Sequence, residues 1–570
     1  MDLAQRINLA LGTKPVDLLL KNGRLINVFS GSIHTASVAI HEGRIVGFGD
    51  YEAIETVDLQ GRFIAPGFID GHLHLESSML SIPEFAANVV PLGTTTVVAD
   101  PHEIANVLGL DGIRYILDSS ERLPLRVFIM FPSCVPATPF ETSGAELTHR
   151  EMELFKDHER VLGLAEMMNY PGVIYSDPEV LAKIDVFRGK VKDGHAPGLT
   201  GKELCAYISA GIGSDHECTT LEEAQEKLRM GMRIMIREGS AAKNLDALLP
   251  LINEHGSRNC LFVTDDLDPH DILAKGHINN IVRQAIKKGI HPITAVQMAT
   301  INTATYFGLK GLGAILPGYL ADMLIIDDLE ELKISTVYHA GSIAAHDGKL
   351  FIPSRAGSSL RPGSSVHVAW EKIKDLSIQA EGNSVNIIQV VPGQIITRKV
   401  IEKAPIVDGR VVADTSRDIL KIAVIERHRG TGNFSIGLIK GFGLKRGAIV
   451  STVAHDAHNI IVVGANDQDM LAAAHEVERM GGGMAVLDNG QVIGRLPLPI
   501  AGLMSDKPIA MVREGLDGLV AAAKEMGCTL DNPFATLSFM ALTPIPELKL
   551  TDQGLFDSVN FKFISLFLAS

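Results

Sequence analysis

The sequence has few cysteines for its length. Its five cysteines, among 570 residues, are odd in number and widely spaced, and no Cys-x-x-Cys pair occurs. Disulfide frameworks and thiolate zinc sites both use closely spaced cysteines, so the sequence favours neither. Reduced and mostly buried thiols, typical of a cytosolic protein, are the simpler interpretation.

Long apolar runs and an excess of basic residues are also absent. No uninterrupted apolar run approaches the ~18 residues of a membrane span. The first six residues do not combine a basic segment with an apolar core, so we expect no signal peptide. The net charge of −15 would repel a nucleic-acid backbone. We therefore expect a cytoplasmic protein with no membrane and no nucleic-acid partner.

The length and composition that are present indicate a globular protein with several domains. Hydrophobic residues make up 46% of the chain and charged residues 21%, as in ordinary soluble proteins. A chain of 570 residues exceeds one ordinary domain, although a barrel can reach ~250 residues as one domain. Two or three domains are therefore expected.

Two β-rich segments flank the centre of the chain. Residues 16–20 form a β-rich run that precedes Asn22-Gly23, a strong hairpin signal. Residues 313–352 return to β character, with a buried-strand pattern at 321–326. We expect residues 1–64 and 313–352 to form one small β domain.

Between these flanks, over residues 65–312, short apolar runs alternate with helical patterns. The apolar runs lie at 94–99, 126–131, 161–165 and 261–264, and helical patterns lie at 221–230 and 271–288. Repeated strand-then-helix units over about 250 residues fit an α/β fold of the (β/α)8 barrel type. A doubly wound sheet is the alternative, but no Gly-x-Gly-x-x-Gly run follows the first strand of this region.

The last third of the chain is separated by a composition change. Residues 353–365 are rich in Gly, Ser, Arg and Pro, which predicts a linker. Residues 366–570 follow, with β patterns at 387–391 and 460–463 and a helical pattern at 470–480. These patterns predict a third domain of mixed α and β structure.

Polar residues close the apolar runs of the central region, where a barrel enzyme has its active site. The first run is followed by two histidines at i and i+2, which point to the same side of an extended segment. A carboxylate after an apolar strand is costly to bury unless it is paired or bound to metal. These nitrogen and oxygen donors suit Zn, Fe or Mn. The predicted metal centre comprises His72, His74, Glu166, His195, His216 and Asp265.

This ligand pattern resembles that of the amidohydrolase superfamily. Longer strings are similar to one family within it, the bacterial adenine deaminases. They are residues 72–79 (HLHLESSM), 100–104 (DPHEI), 164–168 (LAEMM), 193–198 (DGHAPG), 235–240 (MIREGS) and 264–266 (TDD), with 441–444, 454–459 and 496–504 towards the C-terminus. The resemblance implies a distorted TIM-like (β/α)8 barrel, a small β-sandwich built from both flanks and a C-terminal α+β domain.

The resemblance also implies a binuclear metal centre. His72, His74 and Asp265 would hold one ion, His195 and His216 the other, and Glu166 would bridge the two. The family is associated with Mn or Fe, and Zn is also possible. A homodimer is a further expectation from the family.

The implied reaction is hydrolysis of adenine to hypoxanthine and ammonia, in purine salvage or catabolism. A hydroxide formed from metal-activated water would attack C6. Asp265 would act as general base and then as general acid. Glu217 would protonate N1, or instead orient a neighbouring histidine ligand. Asp266 would hold a ring nitrogen. We place His102 and Glu103 in the substrate pocket, although both could instead take an extra metal or cap the next helix.

Several alternatives remain open. Amidohydrolases that act on other purines or on cyclic amides share the ligand set, and a metal-free scaffold of the same fold is a further alternative. His455 and His458 could belong to a second metal site or to a loop over the barrel mouth. Arg237 and Glu238 could shape the active site or simply pair with each other.

Overall fold

The structure is a computed structural model that describes residues 2–240, 242–351 and 363–568. Most of the predicted linker, residues 353–362, lies outside the described residues. Among the helices within the described ranges, none has the length and apolar character to cross a membrane.

The N-terminal flank is β-rich, as its sequence predicts. It consists of α1 (Leu3–Ala10), β1 (Val16–Asn27), β2 (Ser32–His41), β3 (Arg44–Phe48), β4 (Ala53–Asp58) and β5 (Phe63–Pro66). The predicted hairpin at Asn22-Gly23 is wrong, because β1 continues through both residues and pairs with β2 along its length. The left-handed φ of 57° at Asn22 is accommodated by a bulge between Leu20 and Gly23 instead of a chain reversal.

The central region contains eight parallel strands in two sheets within its described residues. They are β6 (Phe68–Leu73), β7 (Thr94–Ala99), β8 (Arg126–Phe131), β9 (Val161–Met167), β10 (Val191–Gly194), β11 (Ser214–Asp215), β12 (Arg233–Arg237) and β13 (Cys260–Val263). Strands β6 to β10 form one sheet and β11 to β13 the other, both in chain order. A backbone bridge between Leu73 and Asp265 connects the first strand to the segment after the last. The parallel sheet is therefore curled, and a complete (β/α)8 barrel stays a prediction.

Helices separate these strands along the chain. They are α2 (Ile82–Val89), α3 (His102–Leu108), α4 (Leu110–Ser119), α5 (His149–Glu153), α6 (Tyr170–Ile174), α7 (Pro178–Val186), α8 (Gly201–Ser209), α9 (Leu221–Arg229), α10 (Leu245–Leu248), α11 (Pro269–Ala274), α12 (Ile278–Lys287), α13 (Pro292–Met298) and α14 (Ile301–Tyr306). The helix predicted over 271–288 is divided into α11 and α12. The division falls at Gly276, whose φ of 108° a helix cannot contain.

Residues after the central region complete the N-terminal sheet. They form β14 (Met323–Asp328), β15 (Lys333–His339), β16 (Ser342–His346) and β17 (Lys349–Leu350). Strand β14 pairs antiparallel with β5, so one nine-stranded sheet takes strands from both flanks of the central region. The division of the whole chain into three domains stays a prediction.

The C-terminal region, residues 363–568, mixes strands and helices as its sequence predicts. It contains β18 (Ile378–Gln379), β19 (Ser384–Val390), β20 (Thr397–Lys403), β21 (Ile406–Val407), β22 (Arg410–Val411), β23 (Leu420–Ile425), β24 (Phe434–Lys440), β25 (Ala448–Ser451), β26 (Ile460–Gly464), α15 (Asp467–Arg479), β27 (Gly483–Asp488), β28 (Gln491–Pro497), α16 (Ile509–Glu525), α17 (Pro533–Ser538), β29 (Leu548–Thr551), β30 (Gly554–Asp557) and β31 (Lys562–Phe563). Its largest sheet has eight strands, in the order β20-β19-β24-β23-β26-β25-β27-β28.

This C-terminal region packs directly on the segment that follows β6. The Ser505 N–H donates to the Met79 carbonyl at 2.8 Å, and the Ser505 carbonyl accepts from the Ser81 N–H at 3.0 Å. The Ile509 N–H donates to the Glu84 carboxylate at 2.9 Å. Apolar residues of both regions belong to one continuous core. The C-terminal region is thereby held close to the carboxyl ends of the central strands.

Candidate active site

The six predicted ligands meet at the carboxyl ends of the central strands. Parallel strands end at the same edge of a sheet, so residues far apart in the chain come together there. Five of the six are buried, and His195 is 21% exposed. His72 lies in β6, His74 follows β6, Glu166 lies in β9, and His195, His216 and Asp265 follow β10, β11 and β13.

Glu166 lies at the middle of the cluster. Its Oε2 is 2.6 Å from His195 Nδ1 and 3.2 Å from His216 Nε2. Its Oε1 is 3.4 Å from His74 Nε2. Burial alone would raise the pKa of Glu166, but His216 and His195 together hold it well below its ordinary value. An ionised carboxylate therefore contacts histidines from both sides of the predicted centre.

Asp265 approaches the same cluster from the segment after β13. Its Oδ1 lies 3.2 Å from His74 Nε2 and 3.5 Å from His72 Nε2. The residue has a left-handed φ of 58°, and its N–H donates to the His72 carbonyl at 3.0 Å. Strained backbone of this kind persists only where surrounding contacts fix it. The bond to His72 thus helps to fix the backbone that carries this carboxylate.

The donor set fits a divalent cation. His74 Nδ1 lies 3.1 Å from the backbone carbonyl of Asp100. A carbonyl can only accept a hydrogen bond, so Nδ1 carries a hydrogen. In a neutral His74 ring the lone pair of Nε2 then points at the carboxylates of Glu166 and Asp265. That arrangement is repulsive unless a proton or a metal ion lies between the groups. His72 Nε2 is likewise buried without a hydrogen-bond partner among the described residues. Several sets of side chains have ligand atoms close enough for one ion, and two of them consist only of predicted ligands: His72, His216 and Asp265, and Glu166, His195 and His216.

Arg237, the last residue of β12, links the two carboxylates predicted to transfer protons. It donates to Glu217 Oε1 at 2.5 Å and Oε2 at 2.9 Å, and to Asp265 Oδ2 at 2.7 Å. Of the two alternatives for Arg237, the pairing with Glu238 is wrong, because the Glu238 carboxylate accepts from the Leu245 N–H instead. In the sequence, Arg237 is a charged residue that directly follows an apolar run, which is the pattern of the other strand-end site residues.

Glu217 lies beside the histidine cluster. Its Oε1 is 3.3 Å from His216 Nε2 and 3.6 Å from His195 Nδ1. Burial raises the pKa of Glu217, but His195, His216 and Arg237 lower it further, so the pKa lies well below its ordinary value. The group is therefore ionised in this arrangement and close enough to orient a histidine ligand.

A cavity of about 460 Å³ opens beside the cluster, between the central and C-terminal regions. Asp266 and Glu103, two of the residues predicted to bind substrate, line this cavity. The Asp266 carboxylate accepts from the Ser77 hydroxyl at 2.5 Å. His102 does not line the cavity and packs instead against His74, with ring centroids 4.6 Å apart. Its Nδ1 is 3.7 Å from Glu166 Oε1, so it neighbours the predicted metal centre.

Glu76 is a cavity residue to which we assigned no role from the sequence. It is buried, and its Oε1 accepts from the Ile104 N–H at 3.0 Å. Burial, with the nearby charge of Glu103, raises the pKa of Glu76 to about 7. Glu76 belongs to the string at 72–79 that resembles the family, and this is the feature of the sequence that points to it.

His455 and His458 reach the cavity region from the loop between β25 and β26. His455 Nδ1 is 2.7 Å from Glu103 Oε1, and His458 Nε2 is 2.6 Å from Glu103 Oε2. These three residues could also hold a metal by spacing alone. His458 Nδ1, however, accepts from the Ala454 N–H at 3.1 Å. The neutral ring therefore carries its hydrogen on Nε2, the atom that faces Glu103, which disfavours a metal at that nitrogen.

Comparison with known proteins gives matches over the whole chain. The model of the amidohydrolase family matches residues 63–345, and the model of the adenine deaminase C-terminal domain matches residues 394–562. An adenine deaminase of Desulfatibacillum aliphaticivorans is 50% identical over 99% of this chain and 99% of its own length. One of Kosmotoga olearia is 50% identical over 100% of this chain and 99% of its own. The solved structure of a β-aspartyl dipeptidase from Fervidobacterium islandicum is similar to 58% of this chain and covers 98% of its own, with 18% identity and a TM-score of 0.45.

Proposed function

We propose that this chain, which belongs to the adenine deaminase family of amidohydrolases, hydrolyses adenine to hypoxanthine and ammonia. The observation that carries the proposal is the 50% identity, over 99% of the chain, to a protein named adenine deaminase. The cluster of six predicted ligands at the strand ends supports it, because each expected position is filled. Such a reaction belongs to purine salvage or catabolism.

We infer that the cluster holds two divalent ions, Mn or Fe in the first place and Zn as an alternative. His72, His74 and Asp265 would hold one ion, His195 and His216 the other, and Glu166 would bridge them. A divalent ion held there activates water as a nucleophile at neutral pH. The bond from His74 Nδ1 to the Asp100 carbonyl supports this, since it directs Nε2 into the cluster.

Asp265 is proposed as the group that moves the first proton. Burial raises its pKa, but Arg237 and the two histidines at Oδ1 hold it well below its ordinary value, so it begins as a base. It takes a proton from the attacking water as the C6–O bond forms. It then gives this proton to the amino group as the C6–N bond breaks.

The second proton of water is required on N1 of the product. We propose that Glu217 transfers it, since its carboxylate lies beside His195 and His216 and is held by Arg237. Because Glu217 is ionised at the outset, it has to accept this proton before it donates it. The sum is adenine plus water giving hypoxanthine plus ammonia, with all atoms accounted for.

The cavity is proposed to bind the purine ring. Its volume of about 460 Å³ lies within the ~300–1,000 Å³ of small-molecule sites. Asp266, oriented by the Ser77 hydroxyl, offers a carboxylate to a ring N–H. Glu103 lines the cavity. His102 lies behind it, between Glu103 and His74, and would position these two side chains.

The substrate proposal is tested with a panel of compounds. Protein loaded with Mn or Fe is incubated separately with adenine, guanine, dihydroorotate and hydantoin, and ammonia and the ultraviolet spectrum are followed. We expect conversion of adenine to hypoxanthine, and nearly none by a His195→Ala control. Turnover of another compound without turnover of adenine would replace the substrate, and metal-loaded protein inactive on the whole panel would favour a scaffold.

We further propose that the protein is a cytoplasmic homodimer that binds a small purine, with no nucleic-acid or membrane partner. The few, unpaired cysteines and the net charge of −15 support the location and the absence of nucleic acid as a partner. The dimer is an expectation from the family, and a monomer in light scattering at micromolar concentration would contradict it.

A further inference from the structure

His455 is a cavity residue contributed by the C-terminal region. It lies in the loop between β25 and β26 and lines the same cavity as Asp266 and Glu103. Its N–H donates to the Ser538 carbonyl at the end of α17, at 2.9 Å. The backbone of this histidine is therefore anchored within the C-terminal region while its ring reaches across to the central one.

The ring of His455 is held in a single orientation by two contacts. Its Nδ1 lies 2.7 Å from Glu103 Oε1. Its plane stacks on Phe539, with ring centroids 4.6 Å apart and planes inclined by 10°. These contacts leave Nε2, on the opposite edge of the ring, without a hydrogen-bond partner among the residues that the structure describes. A cavity-lining ring thus has one oriented nitrogen without a protein partner.

Glu103 also faces a second histidine, His458. The Ala454 N–H donates to His458 Nδ1, so Nε2 of that ring carries the hydrogen and lies 2.6 Å from Glu103 Oε2. Burial raises the pKa of Glu103, but His455 and His458 hold it well below its ordinary value, so an ionised carboxylate faces His455 Nδ1. Although burial lowers the pKa of His455, Glu103 raises it to about 9, which leaves a hydrogen on Nε2 at neutral pH.

We propose that His455 binds the substrate, its Nε2–H donating a hydrogen bond to an acceptor nitrogen, N3 or N7, of the purine ring. This inference rests on the proposed function and adds a substrate-binding residue from the C-terminal region. Asp266 accepts from a ring N–H in the same cavity, so the two side chains together match a ring that both donates and accepts. With respect to His455, Phe539 and Glu103 are positioning residues, because they set the orientation of its ring, and His458 supports Glu103.

The test compares His455→Phe with wild type on three substrates: adenine, 3-deazaadenine and 7-deazaadenine. Each analogue replaces one ring nitrogen by C–H. We expect His455→Phe to raise KM for adenine roughly 10- to 100-fold, as for loss of one hydrogen bond from a charged donor, with a much smaller change in kcat. For the analogue that lacks the contacted nitrogen, wild type and variant should have the same KM, because the bond is already absent.

Two further variants separate binding from folding. His455→Gln keeps a neutral N–H donor and should recover part of the lost affinity. His475→Phe changes an exposed histidine of the same region, in α15, and should leave KM unchanged. Metal content and the midpoint of thermal unfolding are measured for every variant.

The outcomes distinguish this inference from the proposed function. Wild type that turns over adenine, together with an unchanged KM in His455→Phe, would overturn the inference alone. An equal rise in KM for all three substrates would do the same, since it would show a structural effect. Wild type that does not turn over adenine would overturn both.

Discussion

Arg237 makes three hydrogen bonds to two carboxylates that have different proposed tasks. Its guanidinium joins Glu217 and Asp265, which come from the ends of two different strands. A planar group with several donors can span both carboxylates, whereas a lysine ammonium offers a single centre of charge. Arg237 is therefore expected to fix the geometry of the proton transfers as well as the ionisation of both groups.

Arg237→Lys is predicted to lower kcat for adenine by ~100-fold, the scale of a small misplacement of reacting groups. The positive charge remains, so bound metal should stay close to the wild-type amount. Arg233→Lys, the same change at the opposite end of strand β12, is the matched control and should have little effect. Steady-state kinetics with metal analysis makes the comparison. Equal losses in the two variants would show that Arg237 has no special role in catalysis.

At the scale of elements, a buried arginine holds the loop that carries His455. Arg427 is completely buried, and its guanidinium donates to the carbonyls of His458, Ser365 and Ala501. The three carbonyls belong to separate segments, one of which is the loop between β25 and β26. A single side chain thus connects this loop to the segment near Ser505, which packs on the residues that follow β6.

Arg427→Met is predicted to lower the free energy of unfolding by ~2–4 kcal/mol, because three buried carbonyls lose their donor. KM for adenine should also rise, since the loop that bears His455 is no longer fixed. Denaturant unfolding and steady-state kinetics measure the two effects. Arg429→Met, at an exposed neighbouring position, serves as the control and should change stability by less than ~0.5 kcal/mol. A stable Arg427→Met variant with normal KM would contradict the role of this arginine.

Local patterns in the sequence predict the elements well where the pattern has only one interpretation. The apolar runs at 94–99 and 126–131 coincide with β7 and β8. Asn22-Gly23 was misjudged because the same left-handed preference fits a hairpin turn and a bulge, and only pairing with β2 distinguishes them. The division between α11 and α12 depends on the conformation of Gly276, which periodicity does not reveal.

At the scale of the whole molecule, the site depends on contacts between distant parts of the chain. Residues at strand ends could be grouped from the sequence because parallel strands share one edge. The pairs between Arg237 and Glu217 and between Glu103 and His455 follow no short spacing, and the second pair joins separate regions. No local pattern encodes such contacts, so the shape of the cavity had to come from the three-dimensional structure.

The central claim is that the strand-end cluster deaminates adenine with two bound metal ions. Its most direct test is a titration of metal-free protein with Mn, in which conversion of adenine to hypoxanthine is followed by ultraviolet absorbance at each addition. We predict that the rate rises with added metal and reaches its maximum at two ions per chain, while His195→Ala stays nearly inactive throughout. Absence of hypoxanthine at every metal content, or a full rate at one ion per chain, would contradict the account.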